Sequence, residues 1–293
     1  MDLTAKEVRE ILGHLQASPS KKRGQNFLVE PSQTQMIAQA ILAHPNRTII
    51  EIGPGLGALT RPLVESGRSI IALELDRAFC RYLSEYFERS PNFRLIECDA
   101  LAKLEEWSRA ADWSNVAGPT REAPFVCGNL PYSITTDLLR GVVGVPWLPG
   151  GIFLTQLEFA QRITSGSSIS SFAIYLGCFG KWSKLRNVGR QFFFPAPSVD
   201  SALISFERTE MRCNPSTLED ILRSSFHSKR KKISNSWKSA ASLRGLREEW
   251  LLELAPAAGL DPGLRPEEVP PEKFYELTRL VDQQFGAQIR AQA

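Results

Sequence analysis

Up to about residue 208, short apolar runs alternate along this chain with stretches of helical spacing; from about Pro215 only the helical spacing remains. Val8, Ile11, Leu12 and Leu15 predict a first helix with Thr4 as its N-cap, and Pro31 opens a second that carries Met36, Ile37, Ala40 and Ile41. Between these helices, 18–28 reads as a loop. Strands are predicted at 48–52, 69–73, 93–97, 124–127, 151–154 and 199–208. A helix beginning near Ala58 and others over 77–88 and 135–143 separate them. The stretch 103–122 has no strand pattern and reads as a surface insertion with some helix. Alternation of this kind predicts an α/β fold, a largely parallel sheet with helices on both faces.

The last part of the chain has a different rhythm. Leu218, Ile221, Leu222, Ser225 and Phe226 share one helical face; Trp250, Leu251 and Leu254 belong to another helix, and Phe274, Leu277, Leu280 and Val281 to a third. Trp237 and Trp250 read as core of this part. The expected organisation is an N-terminal helix with a basic segment (1–30), an α/β domain (31–210) and a small all-α domain (211–293).

Composition changes this picture little. The 293 residues are 43% apolar and 23% charged, an ordinary globular balance, with a formal net charge of only +3. The positive charge is nonetheless clustered, in Lys21-Lys22-Arg23 and Lys229-Arg230-Lys231-Lys232. Such runs are most often solvated surface and alone favour nucleic acid only weakly. Five scattered cysteines without a CxxC pair, and three histidines, argue against a disulfide framework or a zinc site, so no metal is expected. The N-terminus lacks the apolar core of a signal peptide, and the most apolar region, 138–154, is too interrupted by Arg140, prolines and glycines to span a bilayer. No membrane partner is expected, and a reducing, cytoplasmic setting fits.

The candidate chemistry lies at the carboxyl ends of the predicted strands, where open α/β sheets place their sites. Glu51-Ile52-Gly53-Pro54-Gly55-Leu56-Gly57 makes a strand-to-helix turn whose glycines let a ligand approach the backbone. Taken alone this turn, with Glu74 about 20 residues on, also satisfies a dinucleotide fingerprint, so a dehydrogenase has to be considered. Asp99 closes the third strand, where a helix N-cap is the plain reading. Asn129-Leu130-Pro131-Tyr132 closes the fourth. Pro131 stiffens that turn, the Asn129 carboxamide and the Leu130 carbonyl offer acceptors, and Tyr132 offers a ring, a set suited to the amino edge of adenine. A glycine turn, two acids and this turn, in that order, match the methyl donor S-adenosylmethionine better than NAD, because no diphosphate has to be cradled.

The same pieces resemble the ribosomal RNA adenine N6-dimethyltransferases, in particular the small-subunit (KsgA/RsmA) type. The resemblance is carried by Gly24-Gln25-Asn26-Phe27-Leu28, the glycine turn with Leu59-Thr60, Glu74-Leu75-Asp76, Asp99-Ala100, and Asn129 through Thr136. Gln156, Glu158, Arg162, the run from Phe193 through Ser201 and the run from Phe226 through Asn235 also match. It spans roughly residues 21–280 in family order. Departures are Arg23 directly before Gly24, Leu157 where lysine is common, and a 164–175 stretch without the tyrosine-glycine pair often found there.

The resemblance implies a Rossmann-like, S-adenosylmethionine-dependent methyltransferase sheet with a small helical RNA-binding domain. It implies a monomer that dimethylates adenines of small-subunit ribosomal RNA. Asn26, Leu28, Gly53, Gly55, Glu74, Asp99 and Asn129 would hold the donor. Asn129, Leu130 and Pro131 would hold the target amine, and Tyr132 and Phe193 would sandwich the base; Phe192, read from the residues themselves, is an apolar linker packed under the sheet. Lys21, Lys22, Arg23, Lys229, Arg230, Lys231 and Lys232 would contact RNA. Rival readings are a DNA adenine methyltransferase, a large-subunit dimethyltransferase of the antibiotic-resistance type, and a catalytically silent assembly or transcription factor.

Overall fold

The computed structural model describes residues 3–20, 24–117, 122–165, 169–228, 230–240 and 246–292. Helix α1 (Ala5–His14) starts at a reciprocal cap: the Thr4 side chain accepts from the Glu7 N–H while the Glu7 carboxylate accepts from the Thr4 N–H. A two-residue strand β1 (Phe27–Leu28) follows, inside the segment expected to be loop, and then α2 (Pro31–Leu42) with proline in its first turn. The alternating core runs β2 (Thr48–Ile52), α3 (Thr60–Glu65), β3 (Ser69–Glu74), α4 (Arg77–Tyr86), β4 (Phe93–Glu97), α5 (Ala100–Ser108), α6 (Ser114–Ala117), β5 (Phe125–Asn129), α7 (Thr135–Gly144) and β6 (Gly150–Gln156).

Seven strands make the main sheet, in the order β4-β3-β2-β5-β6, then β9 (Ser201–Arg208), then β7 (Gly180–Val188) at the edge. The pairs β3–β4, β2–β3, β2–β5 and β5–β6 are parallel, and β6–β9 is antiparallel. All five residues of β2 are buried, as expected of a central parallel strand covered on both faces. The chain leaves β2 towards β3 on one side and returns to β5 on the other. Strand order therefore reverses between β2 and β5, which opens a crevice at their carboxyl ends.

Before β7 come α8 (Leu157–Thr164) and α9 (Ser171–Gly177). Between β7 and β9 lies β8 (Phe193–Phe194), antiparallel to β1 with Leu28 opposite Phe193 and Phe27 opposite Phe194. Successive side chains of a strand point to opposite faces, so this register sorts the four residues into two cores. Leu28 and Phe193 join the cluster beneath α2 with Ile37, Ile41 and Ile49, whereas Phe27 joins Leu56 and Phe79, with Phe194 packed against that second cluster.

The stretch 103–122 differs from the expected surface insertion. Its first part completes α5, where Leu104 is fully buried and Trp107 is 4% exposed, and the helix packs on α7. Residues 118–121 lie outside the described residues.

Contacts divide the chain into two units, one of residues 1–160 with 183–208, the other of 161–182 with 209–293. Residues 161–182 thus group with the helices of the C-terminal part. That unit holds α10 (Pro215–Ser225), α11 (Ile233–Ser239), α12 (Glu248–Leu254) and α13 (Pro271–Gln292). Trp237 is 1% exposed and its indole N–H donates to Ser225 Oγ at 2.9 Å, while Trp250 stacks on Phe285 with ring centroids 4.2 Å apart. Both tryptophans are core.

Candidate active site

The glycine turn after β2 is backbone held in place by carboxylates. Gly53, Gly55 and Gly57 all have positive φ, at 66°, 60° and 82°, a region that costs side-chain-bearing residues about 1–2 kcal/mol. The Gly53 N–H donates to the Leu73 carbonyl at 2.9 Å, and the Gly55 N–H donates to Glu74 Oε2 at 3.0 Å. Glu74 Oε1 accepts from the N–H groups of Leu75 (2.9 Å) and Asp76 (2.8 Å). One carboxylate at the end of β3 therefore ties the neighbouring strand's turn to its own. Burial pushes the Glu74 carboxyl above the usual range, against the pull of these three N–H donors. Glu51, 2% exposed, accepts from Thr60 Oγ1 at 2.7 Å; burial pushes its carboxyl up to about 7, with the Thr60 bond opposing and Glu74 adding.

The turn after β5 is held by side chains instead. Asn129 Nδ2 donates to the Asn26 carbonyl at 2.9 Å, across 103 residues of sequence, and Asn26 Nδ2 donates to the Gly24 carbonyl at 3.1 Å. A carbonyl only accepts, so the Asn129 amide nitrogen must face it, and Oδ1 is the end left to accept from a ligand. Pro131 (φ −58°, ψ 125°) receives Thr135 Oγ1 on its carbonyl at 3.0 Å, which locks the turn onto α7. The Leu130 side chain is buried and its N–H donates to the Leu154 carbonyl at 3.0 Å. The Tyr132 hydroxyl lies 2.6 Å from Ser201 Oγ; burial raises its phenol above the ordinary value, the Ser201 bond opposing.

Both turns open on one cavity of about 280 Å³ at the strand-order reversal. Asn26, Leu28, Gly53, Gly55, Glu74, Asp99, Asn129 and Pro131 all line it. Asp99 caps α5, its Oδ1 accepting from the Leu101 N–H at 2.9 Å, and it also lines the cavity. Tyr132 is not among the lining residues.

Phe193 differs from the expectation of an open ring face. It is 3% exposed and packs in the core cluster because its register opposite Leu28 turns it inward. Phe192 is the half-buried neighbour packed against that cluster. Sequence reading also passed over the apolar wall of the cavity, Leu75, Phe79, Ile134 and Leu138. Leu75 carried a signal: it stands between two acids at a strand end, and it is 56% exposed. Of the basic residues, Lys21, Lys22, Arg23 and Lys229 lie outside the described residues. Arg230, Lys231 and Lys232 are exposed, Lys232 as the N-cap residue of α11. Among the described residues no group of His, Cys, Asp and Glu is placed to hold a metal, and no helix is long and apolar enough to cross a membrane.

The profile of the ribosomal RNA adenine dimethylase family matches residues 17–257. The chain belongs to that family. Its relatives include the ribosomal RNA small subunit methyltransferase A of Opitutus terrae, 33% identical over 94% of this chain and 98% of the relative. The protein of the same name from Pseudomonas putida is 33% identical over 90% and 96%. Among solved structures, the 23S rRNA methyltransferase ErmE is 25% identical with a TM-score of 0.63, covering 88% of this chain and all of its own. A dimethyladenosine transferase from Plasmodium falciparum, 20% identical, shares the fold with a TM-score of 0.68 over 89% of this chain and 98% of its own. As a family member, the chain is a Rossmann-like methyltransferase that uses S-adenosylmethionine.

Proposed function

We propose that this chain transfers methyl groups from S-adenosylmethionine to the exocyclic amines of adenines in small-subunit ribosomal RNA, dimethylating two adjacent adenosines during subunit assembly. The observation that carries the reading is the Asn129 carboxamide, pinned by its nitrogen to the Asn26 carbonyl at 2.9 Å with its oxygen left to accept, on the same cavity as Glu74 and Asp99.

The cavity suits this donor by its own chemistry. A Cβ built on Gly53 would meet no atom within 4 Å, so the glycine leaves open space there for a ligand. The turn N–H that a diphosphate would seek, that of Gly55, is already taken by Glu74. Glu51 and Glu74, both buried, line the site as carboxyl groups rather than as N–H donors, so they add nothing to a diphosphate cradle. The dinucleotide reading of the glycine turn fails on that ground.

When bound, S-adenosylmethionine supplies an electrophilic methyl on a sulfonium. Glu74 would accept from the ribose hydroxyls and Asp99, with Oδ2 not used in its cap, from the adenine amine. Leu75, Ile134 and Leu138 would give the adenine an apolar wall. Asn129 Oδ1 and the Leu130 carbonyl would accept from the target amine, orient its hydrogens, localise its lone pair on nitrogen and offset the charge that grows there. Because that amine becomes acidic as it is alkylated, no dedicated strong base is needed. Pro131 and the Thr135 bond keep the acceptors from moving. Stacking on Tyr132 would add on the order of 1–3 kcal/mol to holding an unstacked base. With Phe193 in the core, Tyr132 is the aromatic this reading relies on.

Arg230, Lys231, Lys232 and the segments around Lys21–Arg23 and Lys229 serve as phosphate contacts in this reading, and 211–293 is a helical RNA-binding domain joined by 161–182. The protein acts as a monomer in the cytoplasm. Transfer of labelled methyl to immature small subunits, compared with large-subunit RNA and with DNA, tests the proposal. Transfer to the small subunit is the expected result; selective labelling of either competitor, or of none, sinks it.

A further inference from the structure

Strand β7 carries cations that neither the cavity nor the two basic clusters account for. Residues 183–187 are all exposed, whereas a strand with one face on a core would alternate. The strand is the last of its sheet. Between 180 and 190 stand Lys181, Lys184, Arg186 and Arg190 and no acidic residue, in a chain whose 35 basic and 32 acidic residues nearly balance. Lys184, Arg186 and Arg190 form no ion pair among the described residues.

These cations lead to the candidate site. Ser205 Oγ donates to the Ser183 carbonyl at 3.5 Å, and the Asp200 carboxylate accepts from the Arg190 N–H at 2.9 Å, so β7 and β9 run antiparallel. Arg186 and Arg190 consequently lie toward the Ser201 end of β9. Ser201 is the residue whose hydroxyl meets Tyr132 at 2.6 Å. Three residues beyond Arg190, Phe193 pairs with Leu28, which lines the cavity. Two acids flank the line. Asp200 sits at its inner end with Oδ1 held by the Arg190 N–H, and Glu207 sits at the far end of β9, opposite Gly150.

We infer that Arg190, Arg186 and Lys184 form a phosphate-binding track that grips the RNA strand carrying the target adenine as it leaves the Asn129–Tyr132 turn. The inference rests on RNA being the substrate. Residues two apart on a strand project the same way about 6.7 Å apart, so Lys184 and Arg186 act as a pair. A charged edge also discourages strand pairing between copies. Charges of either sign serve that purpose, whereas a polyanion calls for the single sign found here.

The test uses the full chain with Lys184→Glu/Arg186→Glu, the charge-keeping Lys184→Arg/Arg186→Lys, and Arg190→Ala. Binding to small-subunit ribosomal RNA is titrated against salt, S-adenosylmethionine binding is measured by calorimetry, and methyl transfer is followed separately. Charge reversal is expected to weaken RNA binding about tenfold or more. It should flatten the slope of log affinity against log salt by roughly 1.4–1.8 for two phosphates, and leave donor binding within twofold. The charge-keeping pair restores affinity, and Arg190→Ala loses a smaller factor. Unchanged RNA affinity and slope on reversal, or self-association with normal RNA binding, overturns the track. A wild-type chain that binds RNA through the track yet transfers no methyl overturns the activity and leaves the track standing.

Discussion

The turns after β2 and β5 occupy equivalent places in the sheet, each leading from a buried parallel strand into a helix, yet they are built from different materials. The first is made of backbone: three glycines at positive φ, with Gly55 held by a carboxylate from the next strand. The second is made of side chains: a carboxamide tied to a carbonyl, a proline, a threonine hydroxyl and a tyrosine hydroxyl, each with a named partner. A backbone turn shapes space for a ligand. A side-chain turn aims particular atoms at it. Changes to the two should therefore fail in different measurements, donor binding for one and turnover for the other.

The largest effect is expected at Asn129. Asn129→Ala removes the oriented acceptor and leaves the Asn26 carbonyl without its donor, so turnover on ribosomal RNA should fall by about 10²–10³-fold. The accompanying loss of folding stability should be only about 1 kcal/mol. Near-normal dimethylation by this variant would remove the basis of the mechanism.

Glu51 probes the carboxyls behind the glycine turn. Its carboxyl lies at about 7 in the folded chain against an ordinary value of 4.5. The unfolded chain thus binds fewer protons between those values, and stability falls as pH rises from about 4.5 to 7. Glu51→Gln removes this contribution, so the gap in stability between variant and wild type should widen in the variant's favour over that window, by up to about 3 kcal/mol. Denaturant unfolding at pH 5 and pH 7.5 measures it, and a pH-independent difference would mean that Glu51 is ionised throughout.

A paired glycine test sharpens the contrast further. Gly53→Ala and Gly57→Ala share the backbone penalty of positive φ, about 1–2 kcal/mol. Only the Gly53 methyl enters the cavity, while that of Gly57 would sit 3.2 Å from Leu83 Cδ2. Donor affinity by calorimetry should fall about tenfold or more for Gly53→Ala and stay within a few-fold for Gly57→Ala. Equal losses would show that the turn acts by rigidity alone.

The smallest effect is expected for Tyr132→Phe, which removes the Ser201 bond, worth about 1 kcal/mol, and keeps the ring. Turnover should drop less than tenfold, and Tyr132→Ala should cost more through lost stacking. Equal turnover in the two variants would put the hydroxyl, not the ring, at the centre of the residue's role.

Much of this was legible along the chain. The strands β2, β3, β4 and β5 read as short apolar runs followed by glycine, acid, acid and asparagine; β2, β3 and β5 are buried, because central parallel strands need apolar side chains on both faces, while β4 is the half-exposed edge. Strand β7 escaped detection for the opposite reason: exposed on both sides over 183–187, it shows no apolar rhythm. The β1–β8 ladder has two residues per strand, too few for periodicity to register. Helix α5 offers only Leu104 and Trp107 as a fully buried stripe, which is thin evidence in a stretch otherwise rich in charge.

The alternation of strands and helices from β2 to β6, the family and the residue types at those strand ends followed from the chain alone, since these depend on local pattern and adjacent chemistry. Which phenylalanine of 192–194 turns inward was decided by the register of β8 on β1, because a shift of one residue exchanges the two faces of a strand. The tie from Asn129 to Asn26, and the grip of Glu74 on Gly55, were likewise decided by folding. Hydrogen bonds form between atoms a few ångströms apart, and residues 103 positions distant in sequence reach that separation only once the sheet and its turns have closed.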